Sequence, residues 1–534
     1  MKDNSTNQES SKAVVDNSKK DKQKVVIGYS TTQKVGLVLG PVLFIIMLLL
    51  PVPEGMKASA MRVAAIKVLM AVWWITEAVP IPATSLLPIL FYPLLDVTPV
   101  GQVTAQYANP TIYLFIGGFF VAVTMERWNL HRRIALYTIK LVGTSPAKMT
   151  LGFMVATGFI SMWVSNTATA MMMVPIGLAV IAQVTGISSK QLLDGSVGER
   201  EQNFGKGLML AIAYAASIGG IATIIGTPPN TIMVGMLNTT YGQTISFAEW
   251  MMLGLPLVII MLAITWVLIV KFLFKTKDLK LADGEKVIDD EIKKMGKIKK
   301  EEQIVLAVFI LVGLLWVFNP VIVDAIPVLK GKLNDTVIAM FGTMLLFIIP
   351  ANWRTGEFIL DWKTAVKIPW DIVLLFGGGF AVASGFEKSG LASHIAQQLN
   401  GLQGLHMLIF IIIVTLLVVF LTEITSNTAT ATLLVPIMGA SAIALGIHPY
   451  ATIVPACVAA SFAFMLPVAT PANAVVFGSG AVRIKDMAKA GLWLNLIGTV
   501  VIVIFIYYLM PLLWGIDLHA TPDWAKAAEA VTTK

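Results

Sequence analysis

The chain has 534 residues, of which 56% are hydrophobic and 13% are charged, and its mean hydropathy is +0.79. Soluble domains carry about 25% charged residues, so this composition excludes an ordinary soluble protein and indicates an all-α polytopic membrane protein embedded in the lipid bilayer. The net charge of +8 does not indicate nucleic-acid binding, because the basic residues lie in loops between apolar segments, where membrane topology accounts for them. Cys457 is the only cysteine, so a disulfide within the chain is excluded.

The polar N-terminal region, residues 1–33, is rich in lysine, serine and asparagine, which predicts a disordered tail. Its lysines place the N-terminus in the cytoplasm by the positive-inside rule. A first transmembrane helix is expected within 34–59. The remaining chain is predicted to comprise a first repeat (60–274), a cytoplasmic linker with nine lysines (275–303), a second repeat (304–515) and an extracellular tail (516–534).

Apolar segments that approach the length of a bilayer crossing, about 20 residues, recur along the chain. They predict eleven transmembrane helices, at 35–51, 63–79, 81–95, 110–126, 206–237, 249–274, 303–319, 336–350, 371–386, 450–480 and 488–514. Eleven crossings agree with the basic tail, the basic linker and the cluster Arg127, Arg132, Arg133 and Lys140, all of which should be cytoplasmic. The C-terminus is then outside.

Two further apolar stretches, 147–182 and 405–440, must each enter and leave the membrane on one side. Hydropathy alone allows either re-entrant hairpins or pairs of full spans. Each stretch has a Ser-Asn-Thr run near its middle, where the tip of a re-entrant hairpin would lie. Irregular backbone at membrane depth is tolerated where it is buried in protein or lines a cavity. We therefore favour hairpins.

The polar tips belong to an internal repeat. Residues 165–176 recur at 426–437 with nine of twelve positions identical, and 114–119 matches 375–380 at the same offset of 261. Five predicted spans separate residues 114 and 375. Because five is odd, the two copies have opposite orientations, which is the inverted-topology repeat typical of secondary transporters.

A second motif follows each tip. Gly226-Thr227-Pro228-Pro229-Asn230 corresponds to Ala469-Thr470-Pro471-Ala472-Asn473, inside the long segments 206–237 and 450–480. Proline removes a backbone donor and clashes with the preceding turn, so each segment should be a helix broken near its middle. Two tips and two breaks are expected to meet near the bilayer midplane.

These motifs suit two kinds of ligand. A Ser-Asn-Thr run can cap a half-helix and leave backbone N–H groups free to meet an anion, and the hydroxyl, amide and carbonyl oxygens suit a monovalent cation. The motifs contain no lysine or arginine. A dianion that enters a negative-inside cell therefore needs cotransported cations or one-for-one exchange, and both couplings fit the sequence.

The paired SNT motifs, each followed by a TPxN break, resemble the divalent anion:sodium symporter (DASS) family of di- and tricarboxylate transporters. Residues 73–80 and 126–130 also look like family sequence, and the resemblance covers about 35–515. It implies a homodimer with separate scaffold and transport parts that works by an elevator mechanism. The implied substrates are succinate, malate, fumarate and 2-oxoglutarate, carried across the cytoplasmic membrane with Na+ as the coupling ion and without an organic cofactor.

The resemblance also implies site residues. The substrate would contact Asn166, Thr167, Thr227, Asn427, Thr428, Thr470 and Pro471. One sodium site would use Ser161, Ser165, Asn166 and Gly226, and the other would use Thr422, Ser426, Asn427 and Ala469.

Other interpretations stay open at this point. Serine, threonine and asparagine also hydrogen-bond between packed helices, although two copies at matched positions favour a site. Glu77 and Glu423 would be either proton carriers or capping groups. A sodium-independent exchanger, a sulfate carrier and a channel are the alternatives. An embedded enzyme is disfavoured because the sequence has no HExxH motif and its duplicated site is neutral.

Overall fold

The computed structural model describes residues 29–143, 145–185, 198–275, 284–398 and 406–526. Most of the predicted N-terminal tail, part of the predicted linker and the last residues of the predicted C-terminal tail lie outside this range. The described chain is almost entirely helical. Its strands, Pro350–Asn352 (β1) and Glu357–Phe358 (β2), form one small antiparallel hairpin.

The first part of the chain contains α1 (Thr31–Leu49), α2 (Ala58–Thr76), α3 (Ile81–Thr84), α4 (Leu87–Leu94), α5 (Val100–Gln106), α6 (Pro110–Arg127) and α7 (Leu130–Val142). The predicted span 81–95 coincides with the short apolar stretch Ile81–Leu94, which is divided into α3 and α4. Prolines near the start of both helices, Pro82 and Pro88, explain the division, because proline is accepted in the first turn of a helix and disrupts its interior.

The first hairpin and the first broken helix follow. Their helices are α8 (Pro146–Ser161), α9 (Asn166–Thr185), α10 (Glu199–Gly220) and α11 (Pro228–Tyr241), followed by α12 (Phe247–Val267) and α13 (Gly284–Met295). A π-helical turn, Leu268–Leu273, extends α12. Helix α13 lies within the predicted linker and packs on α7, where Arg132 pairs with Glu291 and Lys140 pairs with Asp289.

The second half repeats this order. It contains α14 (Lys300–Ala325), α15 (Asp335–Ile348), α16 (Trp362–Ala365), α17 (Trp370–Ser389), α18 (Leu391–Gln398), α19 (Met407–Thr422), α20 (Asn427–Ala444), α21 (Tyr450–Ala459), α22 (Pro471–Gly478), α23 (Ile484–Ile504) and α24 (Met510–Trp514). A 3-10 turn, Pro327–Leu329, follows α14, and a π-helical turn, Phe505–Leu509, joins α23 to α24.

Nine helical stretches in the described chain are long and apolar enough to cross a membrane. Seven of them coincide with predicted spans, and the other two are α9 and α20, the second arms of the hairpins. The remaining four predicted spans coincide with short or interrupted helices. The protein is thus a helical polytopic membrane protein, while the re-entrant placement of the hairpins and the repeat boundaries stay predictions.

The buried apolar side chains of the described residues form one large core, one smaller core and a cluster of three alanines, Ala170, Ala216 and Ala472. The large core includes both hairpins and both broken helices, and the smaller core is built mainly from α1, α2, α4, α5 and α17. Helix α20 joins the two cores, because Ala429 and Leu433 pack in the smaller core while Ala431 and Val435 belong to the large one. The second hairpin therefore lies at the boundary between two packed bodies.

The described part of the predicted C-terminal tail packs against the helices. The His448 N–H donates to the carbonyl oxygen of Leu518 at 3.0 Å. The ring of Trp524 lies 5.3 Å from that of Tyr241 and 5.8 Å from that of Tyr450, measured between centroids. The segment therefore covers the end of α11 and the start of α21.

Candidate functional site

The two hairpin tips have the same construction. Helix α8 ends at Ser161 and α9 begins at Asn166, and α19 ends at Thr422 and α20 begins at Asn427. We call residues 162–165 the first tip and residues 423–426 the second tip. Short polar side chains end one helix and start the next, because they offer hydrogen bonds to the unpaired N–H groups of a new helix. The Ser165 hydroxyl, for example, accepts from the Ala168 N–H at 3.2 Å.

The two broken helices also match. We call residues 221–227, between α10 and α11, the first break, and residues 460–470, between α21 and α22, the second break. Pro228 and Pro471 each occupy the first position of the new helix, where the missing N–H is not required.

The asparagine of each TPxN motif closes its break. The Asn230 amide donates to the carbonyl oxygens of Ile221 at 3.1 Å and Thr223 at 2.8 Å. The Asn473 amide likewise donates to carbonyl oxygens of the second break, at 3.0 Å in both cases. Both asparagines are fully buried. They therefore satisfy backbone groups that the interrupted helices leave without partners.

The tips and breaks meet at one cavity of about 1170 Å3. Every residue that the sequence analysis assigned to the substrate lines this cavity: Asn166, Thr167, Thr227, Asn427, Thr428, Thr470 and Pro471. Four residues assigned to sodium also line it: Ser165, Gly226, Ser426 and Ala469. Ser161 and Thr422 are fully buried and are not among the described residues that line the cavity.

Ser161 contributes to an oxygen cluster behind the first tip. Its Oγ lies 2.6 Å from Asn166 Oδ1 and 2.7 Å from the carbonyl oxygen of Ala216. The second tip repeats this arrangement, with Thr422 Oγ1 at 2.7 Å from Asn427 Oδ1 and at 2.8 Å from the carbonyl oxygen of Ala460.

A hydroxyl carries one proton and cannot donate to two acceptor oxygens at once. Each cluster therefore holds an acceptor oxygen that the hydroxyl proton does not satisfy. A small cation placed among these oxygens would satisfy all three, and neutral oxygens are the ligands that a hard monovalent cation takes at a helix break. The residues present thus fit sodium at both places.

The four helices that follow the tips and breaks, α9, α11, α20 and α22, all begin at the cavity. Each N-terminus carries a partial positive charge, so the cavity favours an anion without a nearby basic side chain. The hairpin helices offer most of the free donors, because first-turn N–H groups have no acceptor inside the helix. At the breaks, Pro228, Pro229 and Pro471 have no N–H to offer.

Charged side chains in the cavity lie away from the two motifs in sequence. Lys367 is the one basic residue among the described residues that line it, and Glu77, Glu126 and Asp371 also contribute. A smaller pocket of about 470 Å3 shares Glu77 and Asp371 and includes Tyr29. The cavity therefore continues toward the side on which α1 begins.

The pseudosymmetric halves differ in how they meet. Helix α11 packs directly on α17, where Phe380 contacts Gly235. The equivalent residue of α6, Phe119, lines the cavity together with Pro471 at the start of α22. One pair of equivalent surfaces is thus packed together, and the cavity lies between the other pair.

The two tips differ in the same way. Trp163 in the first tip stacks on Phe247 with ring centroids 5.9 Å apart, and it meets Phe309 edge-on at 5.0 Å. Its counterpart in the second tip, Ile424, is 68% exposed and lines the cavity. Trp163 thus packs the first tip into an aromatic cluster, whereas Ile424 of the second tip faces the cavity.

Sequence reasoning missed three groups at the site. The carbonyl oxygens of Ala216 and Ala460 carry no sequence signal, because any residue supplies a carbonyl. Lys367 and Asp371 lie far from the motifs along the chain. Asn230 and Asn473 were part of a recognised motif, but their capping of the breaks depends on the path of the irregular backbone.

The comparisons with known proteins agree with this geometry. The family model of the sodium:sulfate symporter transmembrane region matches residues 31–515. The sodium-dependent dicarboxylate transporter SdcS of Staphylococcus saprophyticus is 46% identical over 491 residues, covering 92% of this chain and 94% of that relative. SdcS of Staphylococcus aureus is 46% identical over 493 residues, with the same coverage.

Two solved structures are similar at low sequence identity. The Alcanivorax borkumensis YdaH transporter has a TM-score of 0.51 at 13% identity, covering 77% of this chain and 87% of its own. Neisseria gonorrhoeae MtrF, from a class of antimetabolite efflux pumps, has a TM-score of 0.51 at 12% identity, covering 89% and 95%. At these identities the likeness concerns the fold, which is that of a membrane transporter.

Proposed function

Because the chain belongs to the sodium:sulfate symporter family, we propose that it carries C4 and C5 dicarboxylates across the cytoplasmic membrane together with sodium. Succinate, malate, fumarate and 2-oxoglutarate are the proposed substrates. The observation that carries this proposal is the meeting of two Ser-Asn-Thr tips at one cavity, each backed by an oxygen cluster. The relatives described as sodium-dependent dicarboxylate transporters support it.

The substrate would lie between the two tips. One carboxylate would accept hydrogen bonds from Asn166, Thr167 and the first turn of α9, and the other would accept from Asn427, Thr428 and the first turn of α20. Thr227 and Thr470 would contact the substrate from the breaks. This placement relies on helix N-termini and amide groups instead of basic side chains, which matches the absence of lysine and arginine from both motifs.

Sodium would bind in the two oxygen clusters. Ser161, Ser165, Asn166, Gly226 and the carbonyl oxygen of Ala216 would hold one ion, and Thr422, Ser426, Asn427, Ala469 and the carbonyl oxygen of Ala460 would hold the other. Moving one charge through the membrane potential involves roughly 2.3 kcal/mol per 100 mV, and a dianion entering a negative-inside cell faces about twice that. Cotransported sodium ions offset this opposing energy, which supports symport.

We also propose an elevator motion in a homodimer. The hairpins and broken helices would move together against the remaining helices, with α20 sliding at the boundary between the two cores. If the N-terminus is cytoplasmic, as the basic residues predict, the cavity opens inward and the C-terminus lies outside. In the outward state α22 would pack on α6, and α11 would separate from α17.

Uptake of radiolabelled succinate into proteoliposomes tests the function. Empty vesicles and dicarboxylate-loaded vesicles are compared with and without an inward sodium gradient. We expect concentrative, saturable uptake into empty vesicles that requires sodium. Uptake that occurs only into loaded vesicles and ignores sodium would replace symport with exchange. Uptake of radiolabelled sulfate without uptake of succinate would indicate a sulfate carrier.

A further inference from the structure

Glu423 is a buried acidic residue at the second tip, beside the proposed sodium ligand Thr422. Its side chain is only 3% exposed, and it is not among the described residues that line the cavity. The residue at the equivalent position of the first tip, 261 positions earlier, is Met162. The repeat is therefore broken at this position by a charged group that only the second half contains.

The Glu423 carboxylate joins three parts of the second half. Oε1 accepts from the backbone N–H groups of Phe464 at 2.8 Å and Met465 at 2.9 Å. Oε2 accepts from Met465 at 3.0 Å and from Leu466 at 3.1 Å. The Asn495 side-chain amide on α23 donates to Oε1 at 2.6 Å. One side chain thus connects the second tip, the second break and α23.

The first half connects the same parts with neutral groups. The Thr223 hydroxyl donates to the carbonyl oxygen of Met162 at 2.6 Å, which ties the first break to the first tip. The Trp250 indole on α12 donates to the carbonyl oxygen of Ile221 at 2.9 Å. The first break is therefore held through its carbonyl oxygens and a hydroxyl, and the second is held through its N–H groups by a carboxylate.

The contacts of Glu423 bear on the adjoining oxygen cluster. Thr422, the preceding residue, places its hydroxyl against Asn427 and against the carbonyl oxygen of Ala460, which begins the second break. A carboxylate that holds residues 464–466 fixes the path of this break, and so fixes the oxygens that the break supplies. The first half has no equivalent of this carboxylate, because Met162 stands at that position.

We propose that Glu423 is the positioning residue that builds the second cation site. This inference rests on the proposed sodium coupling. Glutamine cannot take over the role, because it has one acceptor oxygen, and its amide N–H groups would face the N–H groups of the second break. A buried donor left unpaired is costly, so the break would move and the cation oxygens would move with it.

The test compares the sodium dependence and the substrate dependence of uptake in Glu423→Gln. We expect the sodium concentration for half-maximal uptake to rise roughly tenfold or more, the scale of losing a charged acceptor. The KM for succinate at saturating sodium should change less than about threefold, because Glu423 does not contact the cavity. Glu54→Gln, the same change at an exposed loop residue, is the matched control and should behave as the wild type.

The possible failures can be told apart. If the wild type takes up succinate without sodium, the proposed function fails. If the wild type requires sodium and Glu423→Gln has the same sodium dependence, or if sodium and succinate affinities fall equally, the inference about Glu423 is overturned.

A second variant and a second measurement cover poor folding of Glu423→Gln. Glu423→Asp keeps the carboxylate but shortens its reach, and it should raise the half-maximal sodium concentration by an intermediate amount. Sodium-dependent thermal stabilisation in detergent, measured against choline, should be reduced in the same order. A Glu423→Asp protein that matches the wild type in both measurements would overturn the proposal.

Discussion

Phe380 on α17 occupies the space beside Gly235 on α11 that a Cβ atom would fill. This contact belongs to the packed surface between α11 and α17. The equivalent helices, α22 and α6, face each other across the cavity. Only a residue without a side chain lets the two helices approach this closely. The closed state of this surface therefore depends on one glycine and one aromatic ring.

Substitution of Gly235 should open this packed surface. Overpacking costs about 1–3 kcal/mol, so Gly235→Val should shift the conformational equilibrium away from the present state by about fivefold or more. Val468, which is 84% exposed and lines the cavity, supplies a reporter when changed to cysteine. Its labelling by an impermeant maleimide from the cavity side should fall.

Two further variants control this experiment. Gly101→Val adds the same side chain where nothing lies within 4 Å, and should leave labelling unchanged. Adding Phe380→Ala to Gly235→Val removes the clash and should restore labelling. Unchanged labelling in Gly235→Val itself would show that this contact does not set the equilibrium.

Loss of either tip asparagine should cripple transport. Asn166→Ala and Asn427→Ala each remove an amide that lines the cavity and an oxygen of the adjoining cluster. We expect kcat/KM for sodium-driven succinate uptake to fall about 10- to 100-fold in each, the scale of a lost charged hydrogen bond. Asn319→Ala on α14 is the control. Normal uptake by Asn427→Ala would refute the site with two tips.

Removal of the buried hydroxyl of Thr422 or Ser161 should change the sodium requirement of uptake and leave the affinity for succinate unchanged. Thr422→Val removes the hydroxyl and keeps the shape, so the sodium requirement should rise about tenfold while the succinate KM at saturating sodium stays near the wild-type value. Thr422→Ser retains the hydroxyl and should change little. Ser161→Ala should repeat the effect at the first cluster. Equal behaviour of the valine and serine variants would mean that the hydroxyl binds no cation.

Lys67 offers a test of the boundary between the two cores. Its ammonium group is buried on α2, donates to the carbonyl oxygen of Leu433 at 3.0 Å and lies 3.8 Å from the centre of the Phe386 ring. No carboxylate in the described part of the chain pairs with it. A buried ammonium group without a carboxylate partner is costly. Lys67→Met should therefore raise the free energy of unfolding, and the apparent Tm should rise by a few degrees.

Thermal melts of the purified protein in detergent measure this effect. Lys363→Met, at an exposed position, is the matched control and should leave the Tm unchanged. A lower Tm in Lys67→Met would show that the contacts with Leu433 and Phe386 outweigh the cost of burying the charge.

The sequence by itself determined the class of protein, the internal repeat and the motifs of the site. Composition decides whether a segment prefers lipid, and duplication is visible in the order of residues alone. Proline marks the helix breaks, because its missing N–H removes a helical hydrogen bond whatever the surrounding structure. These are local properties, and from them the sequence predicts that motifs 261 positions apart meet in one place.

Only the tertiary structure decided which atoms complete that site. The carbonyl oxygens of Ala216 and Ala460 depend on where two helices stop and on how two hairpins lie against them. The role of Glu423 depends on N–H groups some forty residues away, and the contrast between Phe380 and Phe119 depends on the conformation adopted. Distances between distant segments follow from packing, and the matched motifs of the two repeats carry no sign of which copy is closed.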